Sequence, residues 1–239
     1  IGLETLKLLM QGNNKILAVD LKTDVLDTLD NNIVIPFVCD VSKKENIDAI
    51  FDKATEVMGD IDIFFANAGF PYFEKMDYVN WDRMDLIFKV NTYSPIYTYM
   101  KFVEYKNGKA GQMAITISAM GKMGMPGYAL YSGTKFALQG WQESLRLEMP
   151  SNISLTTVYP VATDTGFFKK GTEGNGTVNL KKPFPVQKPT VVARKIYKGL
   201  DKKKKYVNPC PAFGLSRILF GLCPPLKKFY WHMENKKFQ

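Results

Sequence analysis

Three side chains near the middle of the chain, Ser118, Tyr131 and Lys135, have the chemistry to move a proton to or from an oxygen atom. The apolar, β-branched run before Ser118 predicts a buried strand, and the segment carrying Tyr131 and Lys135 predicts a helix. Four residues make about one helical turn, so these two side chains share a face. Because open α/β sheets bind ligands at the carboxyl ends of their strands, we expect the three groups to meet at that edge.

A tyrosine four residues before a lysine is weak evidence by itself. The spacing occurs three times, at Tyr97/Lys101, Tyr105/Lys109 and Tyr131/Lys135. A half-buried tyrosine beside a solvated lysine would give the same pattern. Only the third pair follows a serine at a predicted strand end, and only there does a loop of glycine and proline lie between, with Gly121, Gly124, Pro126 and Gly127.

The residue types suit acid–base chemistry on an alcohol or a carbonyl. A free tyrosine titrates near pH ~10, and a neighbouring ammonium favours the phenolate. Lowering the pKa to about 7 would need roughly 4 kcal/mol, which a close, partly desolvated cation can supply. The phenol could then take a proton from an alcohol or give one to a carbonyl, while Ser118 holds the reacting oxygen.

With Gly121 and Pro126 between them, these residues resemble the active-site segment of the short-chain dehydrogenase/reductase family, which transfers a hydride between nicotinamide and a carbonyl or alcohol. The resemblance implies an α/β fold with a Rossmann-type doubly wound parallel sheet. It implies Tyr131 as general acid/base and Ser118 as the residue that positions the carbonyl. Lys135 would lower the pKa of Tyr131 and hold the nicotinamide ribose, so Tyr131 and Lys135 would also contact the cofactor.

Asn91 is a fourth candidate for the catalytic group. It lies in a long helix predicted from Trp81 to about Val103. In the family, an asparagine in this helix kinks it and binds a water that relays protons to the lysine. The residues alone allow a second interpretation, in which Asn91 lies on a solvated helix face.

The first residues of the chain fit the end of a dinucleotide-binding turn. Asp20 closes a predicted strand eighteen residues after Gly2, the spacing that the family shows between its last loop glycine and the end of its second strand. The resemblance therefore implies that Ile1-Gly2 is the remainder of a glycine-rich turn, with a first strand before it. A short helix that starts the protein is the alternative. Asp20 would bind the adenosine ribose and favours NAD, whereas Lys7 and Lys22 leave NADP open; a turn or helix cap is the other interpretation of Asp20.

Further cofactor contacts follow from the resemblance at other strand ends. Asp40 would contact the adenine, although Asp-Val-Ser-Lys also predicts a helix cap. Ala66 to Gly69, after a strand predicted over Ile61–Phe65, is similar to the family's Asn-Ala-Gly turn. Val161 stands where the family has glycine. The implied cofactor residues outside the catalytic group are Gly2, Asp20, Asp40, Val41, Asn67, Ala68, Gly69, Pro160, Thr163 and Thr165.

Length and composition predict one globular domain in a reducing compartment. The chain has 239 residues, and its three cysteines share no metal-ligand spacing. No apolar run is long enough to span a membrane, and the expected location is the cytoplasm.

By analogy with the family, a homodimer or homotetramer would form through a helix predicted from Tyr131 to about Met149. Leu138, Trp141, Leu145 and Leu147 give that helix apolar faces.

Positive charge is concentrated at the C-terminus. The net charge is +9, and the segment from Lys198 onward holds ten lysines and arginines but two acids. A nucleic-acid partner is therefore not expected. We divide the chain into a catalytic and dinucleotide-binding domain, 1–208, and a basic apolar tail, 209–239. Leu215, Ile218, Leu219 and Leu222 lie at helical spacing in the tail, which suits peripheral contact with a membrane or a helix covering the substrate or a second subunit.

These features predict an NAD(P)-dependent oxidoreductase for a hydrophobic alcohol or ketone, such as a steroid, retinoid, bile acid or fatty acyl derivative. A mobile loop from Phe167 to about Lys188 would, as in the family, cover the substrate with Phe167, Phe168 and Phe184; a solvated insertion is the alternative. The alternative is a non-catalytic nucleotide-sensing or scaffolding protein on the same fold, whose tail binds a membrane or RNA. Binding of NADH would distinguish the two.

Overall fold

Parallel strands form the centre of the structure. A computed structural model describes residues 1–26, 28–76, 80–167 and 182–236. Its strands are β1 Ile16–Asp20, β2 Val34–Val38, β3 Ile63–Ala66, β4 Gly111–Thr116, β5 Ile153–Val158, β6 Ala162–Thr163, β7 Val186–Gln187 and β8 Tyr206–Val207. One sheet has the order β3-β4-β5-β8, and β1 pairs with β2 and β6 with β7. Every one of these pairs is parallel, which confirms the predicted Rossmann-type α/β class.

Helices connect and cover the strands, as parallel pairing requires. They are α1 Gly2–Leu9, α2 Lys44–Met58, α3 Trp81–Phe88, α4 Ser94–Lys106, α5 Ala129–Leu145, α6 Pro189–Asp201, α7 Pro211–Leu222 and α8 Pro224–Lys236. A π-helical segment, Lys89–Tyr93, joins α3 to α4. Among the described residues, the helices are all too short or too polar to cross a membrane.

Packing on both faces links the pair β1-β2 to the four-stranded sheet. On one face, α1 packs against α6, and its Leu6 lies in a buried cluster with Val34 of β2. On the other face, Phe51 of α2 stacks on Phe64 of β3, with ring centroids 5.4 Å apart, and Leu17 of β1 packs in the same cluster. These contacts keep the carboxyl ends of the parallel strands on one side of the molecule.

Several predicted boundaries were wrong. The strand predicted over Ile61–Phe65 runs from Ile63 to Ala66, and the amide of Ile61 bonds instead to the side chain of Asp60. The helix predicted from Trp81 to Val103 is broken by the π-helical segment and ends at Lys106. The helix predicted to reach Met149 ends at Leu145. Within the loop predicted over 167–188, residues 168–181, including Phe168, lie outside the described part, and β7 occupies its end.

The apolar residues predicted on the helix that is now α5 lie mainly inside the chain. Leu138 is fully buried and Leu145 is buried, and both belong to the same core cluster. Trp141 packs against this cluster, with its ring 5.5 Å from that of Tyr99. Leu147 follows the end of α5 and is exposed. A helix that crosses a sheet uses its most apolar face for the core of its own chain, so Leu138 and Leu145 do not face a second subunit, and the homodimer or homotetramer stays a prediction.

Candidate active site

Ser118 is held at the carboxyl end of β4 by an unusual backbone conformation. Its φ is 124°, which is uncommon for a residue other than glycine. Its Oγ accepts a hydrogen bond from Met120 N at 3.1 Å, which begins a 3₁₀ turn over Ala119–Gly121. Strain of this kind persists only where the surroundings enforce it. Here the hydroxyl is fixed at the sheet edge where a substrate oxygen could meet it.

A close approach of the chain requires glycine at position 121. A Cβ there would lie 2.6 Å from Ile117 Cγ2 and 2.8 Å from the carbonyl oxygen of Lys135. The turn after Ser118 therefore packs directly on the backbone of α5. This contact sets the distance between the strand end and the helix that carries Tyr131 and Lys135.

Tyr131 lies in the first turn of α5 and is buried. Burial raises the pKa of Tyr131 to about 12, and a hydrogen bond with Ser118 acts in the opposite direction. The prediction of a lowered pKa was therefore wrong for this geometry. Desolvation of the phenolate outweighs any effect of Lys135, whose Nζ lies 5.7 Å from the centre of the tyrosine ring. The phenol is protonated at neutral pH.

Lys135 shares the face of Tyr131, one turn along α5, and is only 3% exposed. Its Nζ donates a hydrogen bond to the carbonyl oxygen of Thr116, at 3.1 Å. Burial lowers the pKa of Lys135 to about 7. The structure thus brings Ser118, Tyr131 and Lys135 together, and it leaves the lysine able to gain or lose a proton near neutral pH.

Asn91 is fully buried in the π-helical segment, which excludes the solvated-face interpretation. Its side-chain amide pairs with both backbone groups of Phe70: Phe70 N donates to Oδ1 at 3.0 Å, and Nδ2 donates to Phe70 O at 2.8 Å. Nδ2 also donates to Thr134 Oγ1 at 3.2 Å. A π-helical bulge is a frequent device at functional sites. It turns Asn91 towards the loop that follows β3.

Gly69 lies between Asn91 and Lys135. A Cβ at this position would lie 3.0 Å from Asn91 Oδ1 and 3.7 Å from Lys135 Nζ. Glycine therefore lets the turn after β3 approach both side chains. The sequence marked this position only through the Asn-Ala-Gly turn, whereas the structure gives the steric reason for it.

Threonines that sequence reasoning missed complete this network. Thr116 Oγ1 donates to Asn67 Oδ1 at 2.9 Å, and Thr92 Oγ1 donates to Thr134 O at 3.1 Å. Thr134 Oγ1 donates to Tyr131 O at 2.7 Å. Only their positions in the sequence could have indicated these threonines as site residues, because Thr134 directly precedes Lys135 and Thr116 lies at the predicted strand end.

The predicted cofactor residues lie at the carboxyl ends of successive strands. Asp20 ends β1 and is exposed, and Asp40 and Val41 follow β2. Asp40 Oδ1 accepts from Ser42 N at 2.9 Å, and α2 begins only at Lys44, so Asp40 caps a turn and not the helix. The remaining predicted residues follow β3 and β5: Asn67, Ala68 and Gly69 after β3, and Pro160, Thr163 and Thr165 after β5.

Two further contacts fix the segments that lie at the carboxyl ends of the strands. Gly2 opens α1, and the Cβ that it lacks would lie 3.0 Å from Asn67 Nδ2, so the N-terminus of α1 lies against the end of β3. Val161 stands in the turn after β5 where the family has glycine, and Pro160 before it is buried. The Pro160 carbonyl accepts a hydrogen bond from Ala119 N at 2.8 Å. The turn after β5 is therefore tied to the turn after Ser118.

Apolar side chains from distant segments form a wall around Tyr131, which we call the aromatic wall. Its buried members include Tyr72, Phe73, Met120, Met123, Met125, Tyr128 and Phe213, with Phe167, Phe220, Tyr230 and Trp231 packed against them. The Phe167 ring centroid is 5.8 Å from that of Tyr131. Phe184 is 71% exposed, and its predicted role as a substrate cover stays a prediction.

The C-terminal helix α8 donates hydrogen bonds to two loops near the aromatic wall. Trp231 Nε1 donates to Gly124 O at 2.9 Å, and Tyr230 Oη donates to Phe184 O at 2.8 Å. Beside α8, a cleft of about 490 Å³ is lined by Met123, Met125 and Trp231 and by the outer face of α5. The cleft meets a different face of α5 from the one that carries Tyr131.

Within the described ranges, the acidic, histidine and cysteine side chains form no cluster that could hold a metal ion.

Comparison with known proteins gives concordant matches. The chain is 30% identical over 205 residues to 3-dehydrosphinganine reductase of Danio rerio, covering 82% of this chain and 60% of the relative. It is 28% identical over 176 residues to epidermal retinol dehydrogenase 2 of Homo sapiens, covering 72% and 55%. The chain therefore spans somewhat more than half the length of these relatives.

Solved structures share the fold. A short-chain dehydrogenase/reductase from Burkholderia phymatum, in complex with NAD, superposes with a TM-score of 0.76 at 19% identity, covering 95% of this chain and 90% of that one. The family model for short chain dehydrogenase matches residues 1–176. This match covers the strand ends, the turn after Ser118 and the helix with Tyr131 and Lys135, and the chain belongs to the short-chain dehydrogenase/reductase family.

Proposed function

We propose that this chain is an NAD(P)-dependent oxidoreductase that interconverts an alcohol and a ketone or aldehyde on a hydrophobic substrate. The observation that carries the proposal is the meeting of Ser118, Tyr131 and Lys135 at the carboxyl end of β4, beside the aromatic wall. The relatives named for 3-dehydrosphinganine and retinol support a hydrophobic substrate, and a long-chain ketone is our first choice.

The strand ends fit a nicotinamide dinucleotide. The N-terminus of α1 lies against Asn67, and the positive end of a helix dipole attracts phosphate. The exposed carboxylate of Asp20 at the end of β1 suits ribose hydroxyls, which favours NAD, and Lys22 beside it keeps NADP as the second choice. Solved structures of the same fold hold NAD in one case and NADPH or NADP in others, which supports a nicotinamide dinucleotide without selecting between the two forms. When bound, the nicotinamide supplies or accepts the hydride.

Tyr131 is the general acid in the direction of reduction. Because its pKa is about 12, the phenol holds its proton at neutral pH and can donate it to a carbonyl oxygen. Ser118, which already shares a hydrogen bond with Tyr131, would hold that oxygen. Lys135, with a pKa of about 7, can replace the proton that the phenol gives up. Asn91 fixes the loop after β3 and, as in the family, would order a relay water.

The proposal includes the oligomeric state and the cellular location of the enzyme. We propose a homodimer or homotetramer, since Tyr93, Met100 and Phe136 are exposed apolar side chains near α4 and α5. We also propose a cytoplasmic enzyme with peripheral membrane contact through the tail, 209–239. Such contact would suit a substrate that concentrates in lipid.

Turnover by matched variants tests the role of Tyr131. The full chain would be mixed with NADH or NADPH and either 3-dehydrosphinganine, retinal or a small water-soluble ketone. We expect turnover of a hydrophobic carbonyl and a loss of about 10²–10⁴-fold in Tyr131→Phe. Tyr99→Phe is the control, because Tyr99 is a buried tyrosine in the core cluster with Leu138.

Cofactor binding separates a catalytic loss from a structural one. Quenching of tryptophan fluorescence by NADH should persist in Tyr131→Phe, weakened by less than about tenfold through the loss of one contact with the cofactor, and should be unchanged in Tyr99→Phe. Undiminished turnover by Tyr131→Phe would refute its role as the acid. Turnover of the small ketone alone would refute the hydrophobic substrate, and absence of NADH binding would favour the non-catalytic alternative.

A further inference from the structure

The two C-terminal helices form a hairpin with two different faces. The inner face carries Phe213, Phe220, Tyr230 and Trp231, which pack on the aromatic wall. Phe220 and Tyr230 join the helices to each other, with stacked rings 5.6 Å apart. The outer face has no such cover in the part of the chain that the structure describes.

Exposed apolar side chains form a row on each of the two helices. On α7, Leu215, Ile218, Leu219 and Leu222 are exposed and follow the spacing of one helix face, and Leu222 is 80% exposed. On α8, Leu226, Phe229 and Met233 continue the exposed apolar row. A monomer rarely exposes a contiguous apolar surface of this extent unless something binds there. We call these seven residues the outer stripe.

Exposed cations lie on the same two helices as the outer stripe, and between residues 211 and 236 these helices carry no exposed acid. Arg217 and Lys228 are exposed on the two helices, and Lys227 lies over the Trp231 ring at 4.3 Å. The only acid between residues 211 and 236 is Glu234, which is buried on the inner side. The exposed lysine turn 202–205 precedes the hairpin in the chain. Arg217 also lies near enough to Lys122 to help lower the pKa of that lysine, after the larger effect of burial.

We propose that the outer stripe inserts into the interface of an anionic lipid bilayer, with α7 and α8 lying in the plane of the membrane. Apolar side chains bordered by lysine and arginine suit this position, because acyl chains take the stripe and anionic headgroups take the cations. A second copy of this chain would place cations against cations, which makes self-association through this face unfavourable. Neither helix is long enough to cross the bilayer.

The hairpin lies between the proposed membrane surface and the catalytic residues. Its inner face holds the loop after Ser118, through the hydrogen bond from Trp231 to Gly124. Delivery of a hydrophobic substrate from the bilayer to the aromatic wall is the consequence for catalysis, and it rests on the proposed function. Vesicle binding measures the docking independently of catalysis.

Vesicle co-sedimentation of the full chain tests the docking. The protein would be mixed with phosphatidylcholine vesicles, with or without phosphatidylserine, in the absence of cofactor and substrate. We expect strong binding only with phosphatidylserine, and weaker binding as the salt concentration rises. Leu219→Ser/Leu222→Ser and Lys228→Glu should each lower the affinity by about tenfold or more.

Matched controls keep the result interpretable. Leu147→Ser removes a leucine that is 90% exposed outside the hairpin, and Lys15→Glu reverses an exposed charge near β1. Both should bind as the wild type, and circular dichroism checks that every variant is folded. Tyr131→Phe should also bind as the wild type, so loss of catalysis and loss of docking are told apart.

Three results would overturn the proposal. One is equal binding to neutral and anionic vesicles, and another is undiminished binding by the hairpin variants. The third is a dimer in sedimentation velocity that the leucine variant dissociates, without binding of either vesicle, which would assign the outer stripe to a second copy.

Discussion

The buried ammonium of Lys135 should make stability depend on pH in a way that one substitution removes. Lys135 is nearly inaccessible, and its Nζ has the carbonyl of Thr116 as a hydrogen-bond acceptor at 3.1 Å. Burial lowers its pKa from 10.5 to about 7. Lys135→Met keeps an unbranched side chain of similar length and removes the titrating group.

The sign and size follow from the linkage between proton binding and folding. Because the folded-state pKa lies below the unfolded-state pKa, the unfolded chain binds the proton more tightly between about pH 7 and pH 10.5. The stability of the wild type should therefore rise with pH across this window. The full cost of burying the ammonium is present below about pH 7 and is gone above pH 10.5. The difference corresponds to about 5 kcal/mol at about 1.36 kcal/mol per pH unit, of which about 3 kcal/mol is recovered between pH 7 and pH 10.

Urea unfolding of the two proteins at several pH values between 7 and 10 measures this pH-dependent contribution of Lys135 to stability. The free energy of unfolding of the wild type minus that of Lys135→Met should increase by about 3 kcal/mol over this range. Taking the difference cancels the groups that both proteins share. Loss of the hydrogen bond to Thr116 adds a constant offset of about 1–3 kcal/mol and leaves the slope unchanged.

The control is Lys15→Met, which removes an exposed ammonium whose surroundings change little on folding. Its unfolding free energy should run parallel to that of the wild type. Parallel curves for Lys135→Met as well would refute the reasoning, since they would mean that folding does not desolvate the Lys135 ammonium.

Two further predictions concern the packing that holds the site. Gly121→Ala should destabilise the protein by about 1–3 kcal/mol in urea unfolding, because the new Cβ would lie 2.6 Å from Ile117 Cγ2. Gly140→Ala, a helix position with open space around it, should be neutral or stabilise by up to about 1 kcal/mol, and equal effects at the two glycines would contradict the packing argument. Asn91→Ala should cost about 1–3 kcal/mol and speed hydrogen exchange of the Phe70 amide, whereas unchanged exchange would show that the side chain does not hold that loop.

Much of the fold could be predicted from the sequence because local signals agree with it. Apolar runs marked the strands, and the spacing of Tyr131 and Lys135 marked a helix. The errors fall where tertiary contacts override these signals. The π-helical segment at Asn91 is one example, since its side chain pairs with the backbone of Phe70, twenty-one residues away. No periodicity in the sequence reports such a bond.

The candidate site divides in the same way. Residue types and spacing were enough to select Ser118, Tyr131 and Lys135 from three tyrosine–lysine pairs. They were not enough to give the pKa of either titrating group. A pKa depends on the summed desolvation by the surrounding chain, and here burial raises that of Tyr131 and lowers that of Lys135.

The sequence by itself determined the class of the fold and the family, and it selected the candidate site residues, because these depend on patterns within short segments. Only the tertiary structure decided which groups are buried together and which surfaces stay open. It placed Gly69 against Asn91 and Lys135, and it set Trp231 on the loop after Ser118. Contacts between residues far apart in the chain arise from the packing of whole elements, and no local pattern encodes them.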